Sequence, residues 1–183
     1  DNSELYSETL AAAVRLQHAV LPDRMPVVDG WEIAAHYSPS GRTEVGGDFY
    51  DAIPLDDGRL AFFVGDVMGR GVTAAAAMAQ MRSAVRAYVA LDPTPDVVIR
   101  RLDRMLLQYG GDQLVTLVYL LADPGRDELV VANAGHPPPV LLRASGEAEQ
   151  LPTATGTPLG VLRQDRLTRT VRLRPGDTVL AFT

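Results

Sequence analysis

Cysteine is absent from the 183 residues, and so is lysine: all 17 basic side chains are arginines. The first absence excludes disulfides, thiolate–zinc centres and cysteine nucleophiles. The second excludes a phosphate-loop lysine, a Schiff-base lysine and the lysine that haloacid-type phosphatases need. Histidine occurs three times, at His18, His36 and His136, too few for a histidine-rich metal cage. A metal site in this chain must therefore rest on carboxylates, and oxygen ligands favour the harder ions, magnesium or manganese. No apolar run approaches bilayer length, and the first residues lack the basic-then-apolar order of a signal peptide. The formal net charge of −6 comes without a long run of like charge. Neither nucleic acid nor a membrane is expected as a partner, since both attract clustered cations. The expected location is the cytoplasm.

A chain of this length that is 46% hydrophobic suffices for one compact domain with a sizeable core. Residues 4–21 read as a helix closed by Pro22, and "WEIAAHYSP" (31–39) alternates like a strand. "GDFYDAIPL" (47–55) and "RLAFFVGDV" (59–67) are β-rich runs joined by "DDG", a hairpin signal. The period then changes. From Val72 to Leu91 an alanine-rich stretch sets Met78, Met81, Val85 and Tyr88 on one stripe, with Arg82 and Arg86 off it. A second helix starts after Thr94, an N-cap candidate followed by Pro95. From residue 114 onward the chain is β-rich, with "DPGRD", "ASGE" and "RPGD" as turns, and reads as a meander. Helices segregated from largely antiparallel strands predict an α+β layered sandwich rather than a doubly wound parallel sheet.

Asp48 and Asp66 carry the chemistry in this pattern. Each lies beside glycine, in "VGGDFYD" and "VGDVMGRG". Asp48 opens the first strand of the predicted hairpin and Asp66 closes the second, so pairing brings both to one end of the sheet. Two converging carboxylates repel, and a divalent cation makes such an arrangement favourable. The alternative is plainer: Asp66 caps the following helix and Asp48 is a solvated turn residue. "GDVMGRG" is not a nucleotide-binding loop, since it fits neither glycine-rich fingerprint. "NAGHPPPVLL" (133–142) makes a rigid turn in which Asn133 and His136 either meet substrate or hold their own loop. Arg70 is a cation close to the acidic pair that would suit a phosphate or stay in solvent. The glycines and proline of "TGTPLGV" (155–161) fix a loop without evident chemistry.

Taken in order, "GGDFYD", "GDVMGRG", "NAGHPP", "TPLG" and "PGD" before a strand resemble the SpoIIE/RsbU-like branch of the PPM (protein phosphatase 2C-like) serine/threonine phosphatases, from about Leu16 to the last residue. The resemblance implies an α/β/β/α-type layered sandwich holding two manganese or magnesium ions. It implies that Asp66 and the Val67 backbone carbonyl are ligands, with Asp48 serving the same cluster, and that a metal-bridged hydroxide displaces the serine or threonine oxygen with no phosphoenzyme. In the family, Arg70 is often histidine, and the pattern continues past the last strand as "TDG" with a later aspartate. The sequence is therefore expected to comprise a linker and dimerisation helix (1–22) and a phosphatase domain (23–183) lacking its C-terminal end. The implied partners are a phosphorylated STAS-type anti-anti-sigma protein, an upstream sensor domain in the same chain, and a second copy bound through residues 4–21. A catalytically incomplete, protein-binding module of the same fold is the alternative.

Overall fold

The computed structural model describes residues 20–38, 46–153 and 156–183. The predicted helix over 4–21, with the dimerisation role read into it, lies outside these apart from its last residues. Two β-sheets and two helices make up the described fold. The larger sheet has five antiparallel strands, and the smaller has three.

The hairpin read from "DDG" forms as expected, with β1 (Asp48–Pro54) and β2 (Leu60–Val67) antiparallel and Asp48 opposite Asp66. Alternation along β2 feeds two cores. Ala61, Phe63 and Val67 point towards the helices, whereas Leu60, Phe62 and Val64 point towards the second sheet. β3 (Val115–Asp123) is the central strand and splits in the same way. Leu117, Tyr119 and Leu121 join the helix side, and Val118, Leu120 and Ala122 the inter-sheet side. β4 (Glu128–Ala134) pairs with β3 and continues the pattern.

Both helices cover the outer face of the five-stranded sheet. α1 (Gly71–Leu91) buries Met78, Met81, Val85 and Val89, and α2 (Pro95–Tyr109) buries Val98, Ile99, Leu102 and Leu106. Thr94 occupies the N-cap position of α2 as expected but makes no side-chain cap; its own amide is held by Asp92 Oδ1 at 2.9 Å.

Two expectations about strands need correction. Residues 32–38 form no strand; Trp31 makes only an isolated bridge to Val28, and Trp31 and Ile33 pack on the inter-sheet core. The C-terminal half is not a simple meander. β5 (Val140–Leu142) and β6 (Ala148–Gln150) leave for the second sheet, β7 (Thr168–Arg172) returns to β4, and β8 (Thr178–Leu180) crosses back to β5. That crossing buries Leu141 and Leu151 against Val118, Leu120 and Val131, and it places the ends of both sheets side by side. Among the described residues no helix is long and apolar enough to cross a membrane.

Candidate active site

The inter-sheet cleft ends at a row of polar residues. Asp48, Asp66 and Thr116 are successive cross-strand partners on β1, β2 and β3. Thr116 shares its face with Val118 and Leu120, and Asp66 shares its face with Val64 and Phe62, so the row lies on the inter-sheet face, with Asp48 lining the adjacent cleft. Neighbours in such a row stand about 5 Å apart.

The glycine before Asp48 shapes the site. A side chain at Gly47 would collide with the Val67 carbonyl oxygen and lie 2.9 Å from Asp66 Oδ1. The missing side chain thus leaves a small cradle on which one carboxylate and one carbonyl oxygen converge. The Val67 amide, donating to the Gly47 carbonyl at 3.0 Å, locks the two segments together. Beyond Val67 the chain turns through Gly69 and Gly71, at φ of 123° and 77°, conformations open to residues without a Cβ. Asp66 does not cap α1: the N-cap residue is Arg70, which makes no side-chain cap hydrogen bond.

Burial and the nearby Asp48 charge, in that order, raise the Asp66 pKa above the ordinary carboxylate value. Oxygen donors around a glycine cradle, with mutual repulsion between carboxylates, fit a hard divalent cation. Among the described residues no third acidic or histidine side chain joins them to complete a metal cluster.

Asp51, the second aspartate of "GGDFYD", belongs elsewhere. Three residues along a strand from Asp48, it faces the opposite side, where it is buried against α1. Its Oδ2 accepts from Arg82 Nε at 2.9 Å and Arg86 Nη1 at 2.6 Å, and its Oδ1 from the Ala52 amide at 2.9 Å. Arg82 also donates to the Val20 carbonyl. The two arginines read as lying off the apolar stripe therefore tie α1 to β1.

Asn133 and His136 hold one another. The Asn133 amide nitrogen donates to the His136 carbonyl and its oxygen accepts from the His136 amide, both at 2.8 Å. The imidazole, in a residue only 3% exposed, spans two elements: Nδ1 lies 2.8 Å from Thr116 Oγ1, and Nε2 lies 3.1 Å from the Phe182 carbonyl. Burial pushes its pKa down from 6.5 to about 4, partly opposed by the Phe182 carbonyl. The unfolded chain binds this proton more readily, so stability falls as pH drops from about 6.5 towards 4. His136→Gln is expected to flatten that stretch, which urea unfolding of both forms at pH 7 and 4.5 would show.

Residues 156–161 of "TGTPLGV", chemically silent in the sequence, dock against this turn. Gly156 bridges to Ala134 and Leu159 to Val115, and the buried Leu159 closes the end of the helix-side core. A buried ion pair fixes the loop. Arg166 Nε and Nη2 meet Asp103 Oδ2 and Oδ1 at 2.8 and 2.9 Å, Arg166 Nη1 reaches the Thr157 carbonyl at 2.6 Å, and the Gly160 amide donates to Asp103 at 3.2 Å.

The order of these parts is that of a known family. Residues 56–183 match the family model described as Stage II sporulation protein E (SpoIIE). The chain belongs to the SpoIIE family. Protein IcfG of Synechocystis is 28% identical over 92% of this chain and 31% of its own length. Phosphoserine phosphatase RsbP of Bacillus subtilis is 30% identical over 74% of this chain and 34% of its own. Phosphoserine phosphatase RsbU of the same organism is 24% identical over 98% and 53%. The chain thus spans between about a third and about half of these relatives.

Among solved structures, the RsbU and RsbW domains of Rv1364c from Mycobacterium tuberculosis match with a TM-score of 0.69 and 35% identity, over 76% of this chain and 39% of that one. The SiaA PP2C domain of Pseudomonas aeruginosa shares the fold at a TM-score of 0.74 and 19% identity, over 97% and 71%. This SpoIIE-family chain accordingly has the PP2C-like α+β sandwich architecture, and two of its relatives, RsbP and RsbU, are phosphoserine phosphatases.

Proposed function

We propose that this chain is the metal-dependent phosphatase domain of a protein that removes phosphate from serine or threonine of a partner protein. The observation that carries the reading is the Asp48–Asp66 pair at the cleft mouth, with Val67 O and Asp66 Oδ1 converging on the Gly47 cradle. Asp66 and the Val67 carbonyl would hold divalent cations, manganese or magnesium, and Asp48 would add charge to the same cluster. Such ions, when bound, activate water and neutralise charge on the phosphoryl group. The chain's own part is to gather hard oxygen donors at the end of a rigid sheet and to keep the cleft open to a protruding phosphoserine. Arg70, exposed at the N-cap of α1, stands where a phosphate oxygen could meet a guanidinium.

Two carboxylates and one carbonyl leave most positions of two six-coordinate ions to water, substrate oxygens or further protein ligands. The remaining protein ligands would come from residues outside those described. The substrate proposed is a STAS-type anti-anti-sigma protein. The names of RsbU and RsbP as phosphoserine phosphatases support phosphoserine as the group acted on, and the RsbU and RsbW domains together in Rv1364c support a regulatory partner protein. An upstream sensor domain acting through residues 1–22 belongs to the same proposal.

A chain extended beyond Thr183 to the length of the relatives should hydrolyse p-nitrophenyl phosphate when manganese is added and stop in excess chelator. Chelator-resistant turnover would overturn the metal mechanism. The short ligand set also favours a second reading, a protein-binding module without catalysis. Partner binding by the extended chain with no manganese-dependent turnover would select it.

A further inference from the structure

The hydrogen bonds of His136 determine which way a neighbouring hydroxyl faces. A backbone carbonyl only accepts, so the contact between His136 Nε2 and Phe182 O at 3.1 Å places the ring proton on Nε2. The ring is buried and neutral at physiological pH, and Nδ1 then carries a lone pair. The contact at 2.8 Å between Nδ1 and Thr116 Oγ1 is therefore made by the threonine proton. A threonine hydroxyl has one proton and two lone pairs. With the proton committed, Oγ1 can only accept from anything on its other side. On that side, one strand over and on the same face, stands Asp66, with Asp48 beyond it.

We propose that His136 is a positioning residue that makes Thr116 an acceptor-only hydroxyl, and that Thr116 Oγ1 holds a proton of the water bound at the Asp48–Asp66 pair. A water whose hydrogens are taken by Thr116 and a carboxylate turns an oxygen lone pair outward, towards an incoming phosphorus. A third carboxylate in the place of Thr116 would also accept, but it would repel both aspartates and an anionic phosphate ester. A neutral acceptor orients the water without that repulsion. The Phe182 carbonyl, two residues past the end of β8, fixes the tautomer, so the orientation of the hydroxyl depends on where the chain leaving the second sheet is held. The inference rests on the phosphatase reading for its consequence in turnover, and its geometry stands apart from that reading.

The test uses the manganese-loaded extended chain and four variants. Thr116→Val keeps the shape and removes the acceptor, Thr116→Ser restores a hydroxyl, His136→Phe removes both ring nitrogens, and His136→Gln can donate and accept again. Thr116→Val and His136→Phe are expected to lower kcat by about tenfold or more, with KM within about twofold, whereas the Ser and Gln variants recover much of it. A loss in KM alone, or a Thr116→Val kcat within about twofold of the parent, overturns the inference. The two arms approach one bond from opposite sides, so a variant that fails to fold leaves the other decisive.

Two readouts do not need turnover. Nitrogen-15 NMR of the unsubstituted chain should show His136 protonated on Nε2 at pH 7, and an Nδ1-protonated ring would refute the argument. Manganese affinity, measured by electron paramagnetic resonance, should weaken about tenfold in Thr116→Val and not in Thr116→Ser. Manganese binding with no hydrolysis in the unsubstituted chain would sink the phosphatase reading alone. The inference would then be decided by these two measurements, with equal affinity in Thr116→Val and the parent counting against it.

Discussion

Asp66→Asn is expected to abolish metal-dependent hydrolysis while leaving the metal-free fold at least as stable as before. The two effects have one cause. Asp66 sits at the rim of the inter-sheet core, and both its burial and the charge of Asp48 disfavour its ionised form. A carboxylate whose pKa is raised on folding loses stability for the protein as pH rises through its titration, and at neutral pH it is a liability without a cation. Asparagine has nearly the same shape and no charge, so it removes the repulsion. It also removes the anion that would attract the metal. Loss of a mere outer-shell partner costs a metal site about 10–100-fold, and loss of a ligand at the Gly47 cradle should exceed about a hundredfold in activity. The comparison needs two measurements on one variant: turnover of p-nitrophenyl phosphate with manganese, and the thermal midpoint in chelator. Retained turnover would remove Asp66 from the metal site. A lowered midpoint would mean that Asp66 has a favourable partner in the folded protein.

The parts of this site differed in how openly the sequence displayed them. The Asp48–Asp66 pairing was legible because a short "DDG" turn fixes the register of a hairpin, and register decides which end residues meet. Thr116 was not singled out, since a threonine in "LVTLVYLLAD" is an ordinary β-former. The available signal was that it is the only polar residue in an apolar run from Leu114 to Ala122 apart from Tyr119. Asp51 shows the value of strand parity: an odd offset from Asp48 sends it to the helix side, where two arginines one turn apart await it.

Residues 31–39 misled because alternation reports one buried face, and Trp31 and Ile33 do bury one without any ladder. The crossing of β5 and β8 into a second sheet was not legible either. Strands of three residues carry little local pattern, and their partners, Leu141 with Val179 for instance, lie far apart in the chain.

Asp103→Ala should destabilise the protein by about 3–5 kcal/mol, because it strands a guanidinium in the interior. The side chains of Asp103 and Arg166 are 4% and 2% exposed, and the pairing is bidentate, so neither partner has water to fall back on. Removing both charges is a different perturbation from removing one. Asp103→Leu combined with Arg166→Met puts apolar volume where the pair was and should recover part of the loss, as buried ion pairs often exchange for packed side chains at little net cost. Recovery should be incomplete. The Thr157 carbonyl would lose its bond from Arg166, and the Gly160 amide its bond to Asp103, and a buried polar group left unpaired costs about 1–3 kcal/mol. Urea unfolding of the parent, both single variants and the double variant closes the cycle. If Asp103→Ala costs under about 1 kcal/mol, the pair is not what holds residues 156–160 in place. If it costs the full amount, the same variant should also disturb the neighbouring turn. Gly156 bridges to Ala134, and Ala134 is two residues from His136. The loop that carried no readable chemistry in the sequence would then be the brace that keeps His136 against Thr116.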